Sequence, residues 1–163
     1  MERFEVRSPS LEMHKHLTLA EYRDRLPSEQ FDRLFRFCGI RNPWDRCVSY
    51  FFSPHRGDVE WSPTAFEAFI KESILPTDHY IRYSGDQVDP FENVDAVLRF
   101  EHLQRDFALI CEKIGVEDSS LPKVNVGRQR RYQEYYVNED LIELVTTKFK
   151  MEIERFGYEF ERE

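Results

Sequence analysis

Glycine is scarce in this chain, with six in 163 residues, and the closest two are Gly115 and Gly127. A loop that cradles phosphate with its backbone needs several small residues within one turn, so no Gly-rich phosphate loop fits anywhere in these residues. Cysteine is equally sparse. Cys38, Cys47 and Cys111 are odd in number and form no C-x-x-C pair. That excludes a closed disulfide framework and is expected of reduced core thiols in a cytoplasmic protein. Long apolar runs are missing too: no window approaches the ~18 unbroken apolar residues of a membrane span, and Met1 to Ser10 has no apolar signal-peptide centre. Basic charge is outnumbered, with 23 Lys and Arg against 31 Asp and Glu and a formal charge of −8. Such a chain is a poor general partner for nucleic acid or an anionic membrane, so any anion site has to be local. No repeat, low-complexity run or Gly/Ser linker interrupts it, and residues 1–163 read as a single domain.

Aromatic residues are plentiful: fourteen Phe, eight Tyr and two Trp, or 15% of the chain, enough to build a core despite a mean hydropathy of −0.65. His14 to Leu17 reads as an extended entry. Thr18 and Glu21 have capping-box spacing for a short helix that Pro27 ends, and Ser28 is placed to cap another turn. Leu34–Ile40 is a compact apolar run expected to be a buried strand. Asn42 then caps a helix with Pro43 at its first position and Trp44, Cys47, Val48 and Phe51 on one face. Ser62-Pro63 opens a further helix carrying Phe66, Phe69 and Ile70. Leu75 to Asn93 is rich in turn residues and reads as irregular.

Ala96–Phe100 is the second expected strand. It leads into a helix from about Glu101 with Leu103, Phe107, Ile110, Cys111 and Ile114 inward, ended by Gly115. From Asn138 a last helix carries Ile142, Val145, Phe149, Ile153 and Phe156 as one stripe, closed by Gly157. Strands alternating with helices imply an α/β fold with a parallel sheet flanked by helices. Two strands are few for a chain this long, so either strands hide in the irregular stretches or the sheet lacks members.

The informative segment runs from Phe37 to Phe51. A strand delivers Arg41 to a helix N-terminus, where free N–H groups, the dipole and a planar guanidinium together suit a phosphate. Ser49 lies two turns into that helix and reaches the same anion if Arg41 folds back. A solvated arginine and a surface serine fit the spacing as well. His14 and His16 form a second candidate, since a histidine near neutrality can accept a proton from an attacking hydroxyl. Exposed polar residues in an entry loop are the alternative. Two histidines without a cysteine or carboxylate cluster supply only half a zinc site, so no metal is expected. Arg128, Arg130 and Arg131 form the one dense basic cluster, which reads equally as a solvated loop.

Arg41-Asn42-Pro43-Trp44-Asp45-Arg46, followed by Val48-Ser49, resembles the 3′-phosphate-binding motif of sulfotransferases, specifically the bacterial and glycan-type branch with R-N-P-W-D-R-x-V-S. The family often has Tyr two positions after the Ser, where this chain has Phe51. Leu98-Arg99-Phe100-Glu101-His102-Leu103 is similar to the family's R-F-E-x-L junction. Tyr135-Tyr136 and Phe156-Gly157-Tyr158-Glu159-Phe160 resemble its C-terminal helix region. The resemblance implies a P-loop-like parallel sheet and a sulfuryl transfer from 3′-phosphoadenosine 5′-phosphosulfate to a hydroxyl of a carbohydrate or small molecule. It assigns the 3′-phosphate to Arg41 and Ser49, a further phosphate contact to Arg128, and the base role to His16 with His14 beside it.

The family's 5′-phosphosulfate loop lies ahead of the His-x-His segment and has no counterpart here. The chain therefore resembles a sulfotransferase domain lacking its first strand-loop-helix unit. An uncovered sheet edge that promotes self-association is expected to follow. So is a second reading: a catalytically incomplete nucleotide-binding or protein-interaction remnant of that family.

Overall fold

Local signals place most of the elements. In the computed structural model, which describes residues 17–83, 89–122 and 131–162, Thr18 Oγ1 accepts the Glu21 N–H at 3.2 Å while the Glu21 carboxylate accepts the Thr18 N–H at 2.7 Å. This reciprocal cap opens α1 (Leu19–Arg25), which stops where Leu26 turns extended before Pro27. Pro27, not Ser28, takes the capping position of α2 (Ser28–Asp32), and no side chain bonds that helix end.

The first strand is shorter than the apolar run suggests. β1 is Phe37–Ile40, because Leu34 still closes the turn off α2 and pairing starts only when the Arg36 carbonyl accepts the Asp95 and Ala96 N–H groups. Only Ile40 in it is buried, and Phe37 is about half exposed. β2 is Ala96–Arg99, half-buried throughout and parallel to β1, in a register pairing Phe37 with Ala96 and Ile40 with Arg99. A carboxylate pins each end of β2. Asp95 accepts the Arg36 backbone N–H at 2.7 Å, and Asp106 accepts the Arg99 N–H at 3.0 Å. Among the described residues these two strands pair only with each other.

The fold is thus α/β and mostly helical around one small parallel sheet. α3 (Pro43–Phe51) follows β1, α4 (Pro63–Glu72) is capped by Ser62, and α5 (Thr77–Ile81) lies inside the stretch expected to be irregular. After β2 a 3-10 turn over Phe100–His102 delays α6 to Leu103–Ile114. Of its expected inward residues Ile110 and Cys111 are buried, whereas Ile114 is about half exposed. The last helix is two: α7 (Glu139–Lys148) and α8 (Lys150–Phe156) meet at Phe149, whose φ of −109° and ψ of 23° leave the helical region. Gly157, at φ 67°, ends α8 in the left-handed conformation that side chains resist.

The larger core gathers Trp44, Val48 and Phe51 of α3, Phe66 and Ile70 of α4, and Val145 with Phe149, joined by Tyr135 and Tyr136. Full burial of each such side chain contributes roughly 1.5–3 kcal/mol. A smaller core under the sheet joins Ile40, Ile81 and Phe91. Among the described residues, Leu34, Phe37, Leu109 and Ile114 are exposed apolar side chains. No helix among the described residues is long and apolar enough to cross a membrane.

Candidate functional site

Ile40 ends β1 and Pro43 begins α3, so Arg41 and Asn42 form the whole connection. The short link leaves Arg41 little choice but to fold back along the first two turns of the helix. There its Nη1 donates to Ser49 Oγ at 3.0 Å. The two residues that the sequence proposes as phosphate ligands are therefore in direct contact. The opposite edge of the guanidinium, Nε and Nη2, pairs with Asp45 Oδ2. The Phe100 ring lies beneath, with its centroid 4.0 Å from the guanidinium carbon, a distance at which a cation–π contact contributes.

One expectation needs correction: the start of α3 does not offer free N–H groups. Asn42 Oδ1 accepts from Trp44 at 3.1 Å and Asp45 at 3.3 Å, and the Arg46 N–H bonds the Asn42 carbonyl at 2.8 Å. Pro43 has no N–H to give. The Asn42 N–H itself donates to Glu101 Oε1 at 2.6 Å. Any anion grip here rests on the Arg41 and Ser49 side chains rather than on helix amides.

The three sequence segments singled out above converge on this point. Phe100 and Glu101 come from the end of β2, and Glu101 also accepts the Tyr158 hydroxyl at 3.0 Å. Burial pushes the Tyr158 hydroxyl pKa well up and neighbouring Glu101 pushes it further, so Tyr158 stays a donor. Asn42 Nδ2 reaches the Glu159 carbonyl at 3.4 Å, and Phe160 packs edge-on against Trp44. Tyr136 donates to the Trp44 carbonyl at 2.9 Å from the other side. Segments some 57 to 117 positions apart in sequence thus build one corner around the Arg41 connection.

His14, His16 and Arg128 lie outside the described residues. Neither of two surface hollows, one against Gly57 to Glu60 and an apolar one of about 340 Å3 lined by Tyr22, Phe31, Leu34 and Phe37, is lined by Arg41 or Ser49. Burial pushes the Cys38 and Cys47 thiols up to about 12, so neither is a thiolate near neutrality.

Sequence reasoning missed Arg46. Its guanidinium is buried and forks onto Glu152 of α8 at 2.8 and 3.1 Å, while Nη1 also donates to Thr77 Oγ1 at 2.7 Å. Glu152 in turn accepts the Thr77 backbone N–H, tying α3, α5 and α8 together. Arg46 Nε is buried with no hydrogen-bond partner among the described residues. A glutamate on the apolar stripe of α8 was the available signal.

In comparisons with known proteins, an uncharacterized protein of Archaeoglobus fulgidus is 28% identical over 116 residues, spanning 68% of this chain and 92% of that protein. No family model and no solved structure matches the chain.

Proposed function

We propose that this chain is a sulfotransferase-type protein in which Arg41 and Ser49 grip the 3′-phosphate of 3′-phosphoadenosine 5′-phosphosulfate. The observation that carries the reading is the 3.0 Å contact between Arg41 Nη1 and Ser49 Oγ at the C-terminal end of a parallel strand, the edge where open α/β sheets bind ligands. A guanidinium fork and a hydroxyl are a complete minimal set of donors for one phosphate. The convergence of Phe100-Glu101 and Tyr158-Phe160 on the same corner supports it, because those are the other segments with sulfotransferase resemblance. On this reading the sheet is P-loop-like. The sulfuryl group passes to a carbohydrate or small-molecule hydroxyl, with His16 taking the proton, His14 beside it and Arg128 adding a phosphate contact.

The second reading is a nucleotide-binding or protein-interaction remnant of that family. Two measurements separate the readings. Calorimetric titration with adenosine 3′,5′-bisphosphate should show binding that Arg41→Ala weakens about ten- to a hundredfold, with Ser49→Ala weakening it less. Equal affinity in wild type and Arg41→Ala removes the proposal. Transfer of labelled sulfate that falls roughly 10²–10⁴-fold in His16→Ala at unchanged bisphosphate affinity selects the enzyme, and binding without transfer selects the remnant.

A further inference from the structure

Resting on that reading, we infer that Glu101 is a positioning residue for the Arg41–Ser49 grip: its carboxylate holds the peptide between Arg41 and Asn42 and so sets the direction in which Arg41 leaves the strand. Pairing between β1 and β2 ends where Ile40 faces Arg99. Two residues beyond Arg99, Glu101 Oε1 takes over from the sheet and accepts the Asn42 N–H at 2.6 Å. That N–H and the Arg41 carbonyl belong to one planar peptide, so fixing one fixes the other. Asn42 Oδ1 ties the link forward to the Trp44 and Asp45 amides of α3, and Glu101 ties it sideways to the end of β2. With the link held from both sides, Arg41 Nη1 meets Ser49 Oγ at 3.0 Å.

A carboxylate is an unfavourable neighbour for a phosphate-binding arginine, because its charge opposes the anion. The geometry gives this one a use that offsets the repulsion. Both of its oxygens serve partners far off in the chain: the Asn42 amide, 59 positions away, and the Tyr158 hydroxyl, 57 positions away and at 3.0 Å. Tyr158 holds Oε2 and thereby aims Oε1 at the link. Glu101 is exposed, so no burial forces it into this arrangement. Charge and geometry then predict opposite signs. If Glu101 acted only as a negative charge, neutralising it would tighten phosphate binding, whether or not an oxygen remained. If it acts as a clamp on the link, binding follows the oxygen and its reach, not the charge.

The test compares wild type with Glu101→Gln, Glu101→Asp and Glu101→Ala at a temperature where each is folded by circular dichroism. Adenosine 3′,5′-bisphosphate is titrated by calorimetry at fixed ionic strength, and hydrogen exchange of the Arg41 Nε–H is followed by NMR in the free proteins. Glutamine keeps an oxygen for the Asn42 N–H and loses the charge. Aspartate keeps the charge but is one carbon too short to span Asn42 and Tyr158. Glu101→Gln should bind at least as tightly as wild type, and Glu101→Asp and Glu101→Ala about three- to tenfold more weakly. The Arg41 Nε–H should exchange faster by a similar factor, about three- to tenfold, in those two variants alone. Glu101→Asp carries the comparison should Glu101→Ala fold poorly. Tighter binding in both Glu101→Gln and Glu101→Ala would overturn the inference by reducing Glu101 to a charge. The exchange rates keep the inference apart from the nucleotide reading. Faster Arg41 exchange in Glu101→Asp and Glu101→Ala, with no bisphosphate binding to wild type, supports the positioning role and rejects the nucleotide reading. Bisphosphate binding that Arg41→Ala weakens, with affinity and exchange in Glu101→Ala equal to wild type, rejects the positioning role and leaves the nucleotide reading standing.

Discussion

Arg41 and Arg46 flank the first turn of α3, each meets one carboxylate, and they do opposite work. Arg46 and Glu152 are 7% and 0% exposed, while Arg41 and Asp45 are 19% and 22% exposed. The buried pair has nowhere to go. Its carboxylate is shared with Thr77, so parting it would strand charge between three helices. The outer pair is partly exposed, and on the proposed reading it takes a phosphate without disturbing the core. The same residue type, once within a helix and once just ahead of it, is a structural tie where water is excluded and, on the proposed reading, a recognition element where some water remains.

The sharpest way to break this comparison is to remove Glu152. Glu152→Ala leaves Arg46 charged and unpaired in the core and should cost about 3–5 kcal/mol. At roughly 2–4 °C of Tm per kcal/mol for a chain of this size, thermal melting by circular dichroism should show a drop of order 10 °C. A shift of a degree or two would mean the pair is no tie. The next effect is its converse. Replacing both partners, as Arg46→Met with Glu152→Leu, should recover most of that loss, because neither charge is then left to be buried. A double variant as unstable as Glu152→Ala would show that the hydrogen bonds to Thr77, not charge balance, set the cost.

A smaller effect is expected at the C-terminal end of β2, which Asp106 anchors. Burial pushes the Asp106 carboxyl up, but the Arg99 backbone N–H and then the Arg105 guanidinium outweigh this and hold it below the ordinary carboxylate value. A carboxyl depressed in the folded state adds stability that is complete above its unfolded pKa, about 3.9, and is lost as pH falls through the lowered folded value. Asp106→Asn should therefore be less stable than wild type at neutral pH, with the gap closing below about pH 4 in denaturant titrations. A pH-independent gap would assign the role of Asp106 to shape alone. The smallest stability change belongs to Arg41→Ala, which should melt within about 1 kcal/mol of wild type because its partner remains partly hydrated.

Elements with local causes were legible in the sequence. The Thr18–Glu21 box, the Asn42 and Ser62 caps and the Gly115 and Gly157 stops each act within one turn, so the residues alone place them. The unread features have causes far off in the chain. α5 begins where the Glu152 carboxylate, 75 positions away, fixes the Thr77 N–H. The strand at Leu34–Ile40 shrank because pairing is set by where Asp95 meets Arg36, 59 positions away. At the site, the Arg41–Ser49 contact was visible as spacing two turns apart. The closed helix start was not, because Asn42 was read as a cap without counting the amides it uses up, and Glu101 arrives from another element. Arg46 stayed hidden because a charged residue in a polar-rich first turn carries no sign of burial.

The most direct test of the division of labour between these two arginines is one titration series. Adenosine 3′,5′-bisphosphate is added by calorimetry to wild type, Arg41→Ala and the Arg46→Met/Glu152→Leu variant at a temperature where all three are folded. The account predicts that Arg41→Ala loses about ten- to a hundredfold in affinity while the buried double variant binds like wild type. Unchanged binding in Arg41→Ala, or an equal loss in both variants, would contradict it.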